Sequence, residues 1–254
     1  MFSYTDANVI NIFTDASTST TQTDDPVIVG SGFLVVNQNI CIDSGVRVFL
    51  NSSSQFGELF AIFMGVNAIY RDSSIKRLYN SEKYYVYNVF SDSRYSIDTI
   101  RNYVIKWMSK SHLFSYDTYG NLKPPDLIKA DGKPIQHQEC ITHIVYLVYS
   151  TGVEINFYHI KGHLSLDKES DIHTMYKYLY ENPNIPKATH IPMNIAKDMI
   201  KWNNEIDRLS RSCVYEVKGD IEIERQFAKG KMIWPMSLYL NSRDKQSAYQ
   251  KLIQ

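Results

Sequence analysis

Four carboxylates stand where a fold could bring them together. Asp15 follows the apolar run "VINIFT", and Asp92 follows "VYNVFS". Glu58 opens "FGELFAIFMGVNAIY", and Asp207 comes four residues after Asn203 in "NNEIDRLSR". In an α/β sheet, the ends of neighbouring strands border a crevice where ligands bind. Acids that converge there repel one another unless cations neutralise them. Oxygen donors without paired Cys or His suit Mg2+ or Mn2+ rather than zinc. Each acid alone also has an ordinary reading. Asp92 can be a turn former or helix N-cap, Glu58 a macrodipole partner, and Asp207 a solvated helix pair with Arg208 or Arg211.

The elements that must position these acids follow from periodicity. Val9–Thr14, Val27–Val36 and Ile40–Leu50 are rich in β-branched and aromatic residues and are separated by polar turns, which predicts an antiparallel meander. Leu59, Ile62, Phe63, Val66 and Ile69 recur at helical spacing and predict a core-facing helix. A fourth strand is expected over Tyr84–Phe90. A second amphipathic helix is expected over Ser93–Lys110, carrying Tyr95, Ile97, Ile100, Val104 and Trp107. A Gly/Pro/Asp-rich loop spans Ser111–Lys133. Ile135–Thr151 reads as a helix ended by Gly152, and Val153–Ile160 as a fifth strand. A short helix (Asp171–Glu181) then precedes a stretch with Pro183, Pro186 and Pro192. A last strong helix runs from about Asn194 to Arg211. This order predicts an α/β fold, a mixed sheet with helices on its faces.

With 254 residues, the chain is long enough for a real core. Its 27 basic and 27 acidic side chains exclude a globally basic nucleic-acid binder but not a local basic face. Cys41, Cys140 and Cys213 lack metal-type spacing and read as reduced thiols. No secretion signal and no membrane-length apolar run is visible, so a soluble intracellular protein without membrane contact is expected. Cys140, His143, His173 and His190 lack ligand spacing and are assigned core or surface roles.

Together the segments resemble the ribonuclease H family. "IFTDAS" (12–17) is similar to its first strand, "SQFGELFAIFMGVNAI" (54–69) to its metal-binding Glu helix, and "FSDSRYSIDTI" (90–100) to its Asp-Ser-x-Tyr turn. "KADGKPIQHQECITHIVYLV" (129–148) resembles the segment that leaves the basic protrusion. "FYHIKGH" (157–163) resembles the fifth strand with its Lys-Gly-His loop, and "NNEIDRLSR" the closing Asn-x-x-x-Asp helix. The resemblance runs over about residues 8–212. It implies a five-stranded mixed sheet, three antiparallel strands then two parallel ones, flanked by helices.

It further implies a metal-dependent endonuclease that hydrolyses the RNA strand of RNA–DNA hybrids with two Mg2+ or Mn2+ ions, leaving 5′-phosphate and 3′-hydroxyl ends. Asp15, Glu58, Asp92 and Asp207 would be its metal ligands, and His163 would assist proton transfer or product departure. Ser17 and Gln55 would touch substrate; Ser54 stands where Asn is common, and Ala16 where Gly is usual. Basic residues between 71 and 110 (Arg71, Lys76, Arg77, Lys83, Arg94, Arg101, Lys106, Lys110), with Trp107 and the loop lysines Lys123, Lys129 and Lys133, either track the DNA strand or form a solvated face, and Trp107 reads as partly buried packing rather than a base-stacking platform. Two other readings stay open: a nuclease of junctions or structured RNA on the same fold, and a non-catalytic nucleic-acid-binding module.

The expected organisation is a catalytic domain (1–212), a C-terminal extension (213–254) packing on or beside it, and a monomeric state. Residues 164–198 are an insertion where cellular members have a short loop. Ile172, Met175, Tyr176 and Leu179 give it an apolar side, so it is expected to pack beside the cleft as a lid, a substrate wall or a docking site for a protein partner. The alternative is a peripheral decoration.

Overall fold

The computed structural model describes residues 4–19, 26–78, 85–108, 118, 127–129, 131–182, 185 and 191–228, with side chains except at 72–78, 108 and 222–228. The first three strands, β1 (Val9–Thr18), β2 (Ile28–Asn37) and β3 (Ile40–Leu50), form the expected antiparallel meander. Gln38 and Asn39 both adopt positive φ, the conformation that two-residue hairpins favour. Trp202 Nε1 donates to Asn39 Oδ1 at 2.8 Å, which ties that turn to the last helix.

Next come α1 (Ser54–Leu78), β4 (Val86–Ser91), α2 (Arg94–Asp98), a π-helical turn (Thr99–Tyr103), α3 (Val104–Met108), α4 (Gln138–Thr151), β5 (Glu154–His159), α5 (Glu169–Glu181) and α6 (Met193–Ala228). The sheet order is β3-β2-β1-β4-β5, with β4 parallel to both β1 and β5. This is the five-stranded mixed sheet that the resemblance implied. The helix expected over Ser93–Lys110 is interrupted by the π turn. There Ser96, Ile97, Thr99, Ile100 and Val104 are all buried, a wider face than a regular helix presents.

Alternate side chains of the central strands feed two cores. Ile10, Ile12, Tyr87 and Val89 pack with Leu59, Ile62 and Val66 of α1 and Ile141 and Ile144 of α4. Phe13, Phe90 and Tyr158 face the other way, and their rings stack at 5.1 and 5.5 Å. Ile172, Met175 and Leu179 of α5 and Ile195, Met199, Ile200 and Ile206 of α6 cover that second face. The segment 164–198 therefore packs on the body of the fold through α5.

Residues 1–214 make one compact unit and 215–254 a second. Helix α6 runs beyond the expected end at Arg211 and continues to Ala228, with no proline between residues 212 and 228 to stop it. Much of the expected 111–133 loop, with Lys123, lies outside the described residues, as do Lys83, Lys110, Pro183, Pro186 and His190; the side chains of Lys76 and Arg77 do too. Among the described residues, no helix is long and apolar enough to cross a membrane. The three cysteines are free thiols.

Candidate metal centre

The parallel ladder between β1 and β4 ends at the pair Thr14–Ser91, and Asp15 and Asp92 are the next residues on the two strands. Strand β1 does not stop before Asp15, as its apolar run predicted. It continues to Thr18 because β2 goes on pairing with it, Asp15 opposite Gly32. Asp92 is not the cap of α2. Ser93 occupies that position, its hydroxyl accepting the Ser96 N–H, so the Asp92 carboxylate is not spent on a helix end.

Glu58 reaches the same place from α1. That helix begins at Ser54, with Ser53 Oγ accepting the Phe56 N–H, so Glu58 sits in the second turn rather than the macrodipole position expected for it. Ser31 Oγ donates to the Gly57 carbonyl at 2.9 Å and fixes the helix start against β2. Carboxylate oxygens of Asp15, Glu58 and Asp92 all lie within 4.8 Å of one another.

The electrostatics of this cluster are those of buried acids that repel one another. Burial, then the charges of Asp15 and Asp92, push Glu58 well above the usual carboxylate range. Burial and the Asp92 charge push Asp15 up to about 7, against hydrogen bonds from Ser210 and the Ala16 N–H. Burial also raises Asp92, while the His163 ring, an Asn203 hydrogen bond and His159 pull it down. Glu58 Oε2 is buried with no hydrogen-bond partner among the described residues. A buried acceptor without a donor, among mutually repelling carboxylates, fits a hard divalent cation.

Asp207 stands outside that cluster. Its charge raises both Asp15 and Asp92, which puts it at the rim. Both of its oxygens accept from Arg211 NH2, at 2.8 and 2.7 Å, so the helix-pair reading holds for Arg211. Arg208 instead bonds Glu205. His163 is exposed at φ +58°, on the loop after β5, beside Asp92.

The structure adds two residues to the site. Asn203 is buried and donates to Asp92. Ser210, fully buried, places Oγ 3.0 Å from both Asp15 Oδ2 and the Asp207 carbonyl. Their signal was present in the sequence: 203, 207 and 210 recur at i, i+4 and i+7, one face of a helix. Gly30 lets that face sit down on β2, since a Cβ there would overlap the Ser210 carbonyl.

The expected substrate residues are more scattered. Ser17 is half-buried on β1, and Gln55 is exposed in the first turn of α1. Arg94 is exposed, with Nε 4.0 Å from Asp98. Lys133 pairs with Asp131 at 3.3 Å. Trp107 is half-buried, its ring 6.0 Å from that of Tyr103, and it packs on the first core. Arg101 is directed inward and donates to the Phe157 carbonyl at 2.7 Å.

The family profile described as RNase H matches residues 7–172, a span that includes Asp15, Glu58, Asp92 and His163 and ends before Asp207. No curated protein sequence matches the chain. Among solved structures, the chain is similar to the foamy viral protease-reverse transcriptase in complex with RNA/DNA hybrid, at 12% identity and a TM-score of 0.45 over 65% of this chain. That match spans only 19% of the viral chain. It is also similar to RNase H1 from the archaeon Halobacterium salinarum NRC-1, at 9% identity and TM-score 0.37 over 61% of this chain and 86% of that one. A third is LC11-RNase H1 in complex with RNA/DNA hybrid, at 11% identity and TM-score 0.38 over 60% and 86%.

Proposed function

This chain belongs to the RNase H family, and from that premise we propose that it is a metal-dependent endonuclease of the RNA strand in RNA–DNA hybrids. The observation that carries the reading is the meeting of Asp15, Glu58 and Asp92 within 4.8 Å, with one Glu58 oxygen buried and lacking a hydrogen-bond partner among the described residues. Asp15, Glu58 and Asp92 would hold divalent cations, two Mg2+ or Mn2+ ions with Asp207 as the fourth ligand. Bound there, such ions supply activation of the attacking water and charge stabilisation of the leaving 3′ oxygen.

The protein's own part is positional. Ser210 orients Asp15, and Asn203 orients Asp92, so two ligands are set before any ion arrives. Asp207, held by Arg211, would join them as the fourth ligand. His163, exposed beside Asp92, would carry a proton away from or toward the cleft. The products would be 5′-phosphate and 3′-hydroxyl ends. Ser17 and Gln55 would contact the RNA, whose 2′-hydroxyls mark it apart from DNA. Arg94, Trp107 and Lys133 would follow the DNA strand.

A strand-labelled cleavage assay tests this. RNA–DNA hybrid, double-stranded RNA, DNA duplex and a four-way junction are compared with and without Mg2+. Metal-dependent cutting confined to the RNA of the hybrid is expected. Preference for a junction or for double-stranded RNA sinks the substrate assignment, and cleavage in excess EDTA sinks the metal assignment.

A further inference from the structure

The inserted helix α5 is joined to the metal centre by more than packing. Its Tyr178 hydroxyl is hydrogen-bonded to Nδ1 of His159, the last residue of β5. On the opposite edge of the same ring, Nε2 lies 3.0 Å from the backbone carbonyl of Asp92. A carbonyl can only accept, so Nε2 carries the ring proton, and in a neutral ring Nδ1 then accepts from the Tyr178 O–H. The direction is thereby fixed along the whole chain: Tyr178 donates to His159, and His159 donates to Asp92.

Two further contacts hold the same junction. Asn182, which caps the end of α5, donates to the His159 carbonyl at 3.2 Å. Lys161 Nζ lies 5.7 Å above the Tyr178 ring. Helix α5 thus grips the end of β5 and the loop that carries Gly162 and His163, while its apolar side is anchored in the core by Met175 and Leu179.

We propose that Tyr178 and His159 are positioning residues for the metal centre: the inserted helix sets the backbone of Asp92, and with it the aim of that carboxylate, through the imidazole of His159. The proposal rests on the reading of Asp92 as a cation ligand. Neither residue touches substrate or ion; both act through Asp92. Groups that orient metal ligands typically account for about 10- to 100-fold in metal affinity or activity, which sets the effect to look for.

The test uses the full chain, with Mn2+ alone as the calorimetric probe and hybrid cleavage as the second readout. His159→Phe removes the donor to Asp92 while keeping a ring. Tyr178→Phe removes one oxygen and leaves the packing of α5. His159→Gln retains an N–H close to the position of Nε2. The phenylalanine variant at 159 should bind Mn2+ about tenfold more weakly and lose a similar factor in kcat with KM unchanged. Tyr178→Phe should shift both in the same direction by a few fold, and His159→Gln should recover most of the loss. Wild-type Mn2+ affinity in both phenylalanine variants overturns the proposal, as does a glutamine variant no better than His159→Phe. Should His159→Phe fail to fold, Tyr178→Phe decides alone. Asp92→Asn separates the two levels: full Mn2+ affinity and turnover in that variant overturns the metal reading itself, whereas its loss beside wild-type behaviour at 159 and 178 overturns only the positioning chain.

Discussion

Gly162 lies directly against the Asp92 carboxylate: a Cβ at position 162 would overlap Oδ2 of that side chain and stand 2.9 Å from its Cγ. The loop that carries His163 can therefore close on the metal centre only with hydrogen at this position. A larger residue would meet Oδ2 and Cγ of a side chain that can turn away, and would stand 3.1 Å from its Cβ, where the neighbour must give by a few tenths of an ångström.

Gly162→Ala should consequently separate stability from function. The melting temperature should move by no more than a few degrees, while Asp92 swings out of line with Asp15 and Glu58. Misplacement by about 1 Å can cost about 10²-fold in rate, so hybrid cleavage should fall by about 10- to 100-fold and Mn2+ affinity with it. Near-normal turnover would show that Asp92 tolerates the displacement and that its position is not critical.

The raised carboxylates predict how stability follows pH. Asp15 titrates near 4 in an unfolded chain and at about 7 when folded without metal. A raised folded value means the stability contribution is fully present below the unfolded pKa and is lost as pH rises through about 7. In EDTA, Asp15→Asn should therefore melt close to wild type at pH 4 and several degrees higher at pH 8, a gain on the order of 1–3 kcal/mol. A difference that stays constant over this range would mean that Asp15 is not under the strain described. With Mn2+ present, the order at pH 8 should reverse, because the asparagine removes a proposed ligand.

The same protons must leave when cations bind. Asp15 and Glu58 both bind protons more tightly than ordinary carboxylates, so Mn2+ affinity should rise by at least about tenfold from pH 6 to pH 8. Calorimetry in buffers of different ionisation enthalpy should register proton release on binding at pH 6.5. Affinity independent of pH would argue that the ions are held by other groups.

His163 stands exposed on its loop, outside the carboxylate cluster. Proton transfer by a side chain contributes about 10²–10⁴-fold, so His163→Ala should remain measurably active, and clearly more so than Asp15→Asn. Equal loss in the two variants would make the histidine part of the metal centre itself.

The framework of this site was readable from the chain because strand ends, a helix start and a helix face are periodic features. Asp15 and Asp92 fall where two apolar runs end, and the sheet places those runs side by side. The end of β1 was misjudged because pairing with β2, a tertiary contact, extends a strand beyond its apolar residues. The cap of α2 was ambiguous because Asp and Ser cap equally well, and only the fold shows that Ser93 takes the role. Ser210 was missed because its spacing from Asp207 marks only the helix face it shares, whereas its role comes from Asp15, its neighbour across space. For α6, the reading stopped at Arg211, where the polar pattern blurs; Cys213 and Val214 are nevertheless buried.

The insertion offers the last test, because its periodicity was plain and its weight in the fold was not. Ile172, Met175 and Leu179 recur at i, i+3 and i+7, and all three are buried among Phe13, Phe90, Tyr158 and the apolar face of α6. Met175 is completely shielded from solvent, so Met175→Ala leaves a cavity rather than a dimple, at a cost of about 2–5 kcal/mol. For a chain of this size, that corresponds to a drop in melting temperature of about 5–15 °C. Replacement of Leu164–Lys187 by a Gly/Ser linker would go further, uncovering Phe90, Tyr158 and Ile160 together. It should yield a chain that binds a hydrophobic dye and lacks a cooperative transition. The informative variant is the point substitution, followed by chemical denaturation and by cleavage at low temperature, where the fold is retained. Cleavage at low temperature should persist within a few fold, since Met175 lies on the buried side of α5 and Tyr178, the link to Asp92, is untouched. An unchanged denaturation midpoint would mean that α5 is not a working part of the second core.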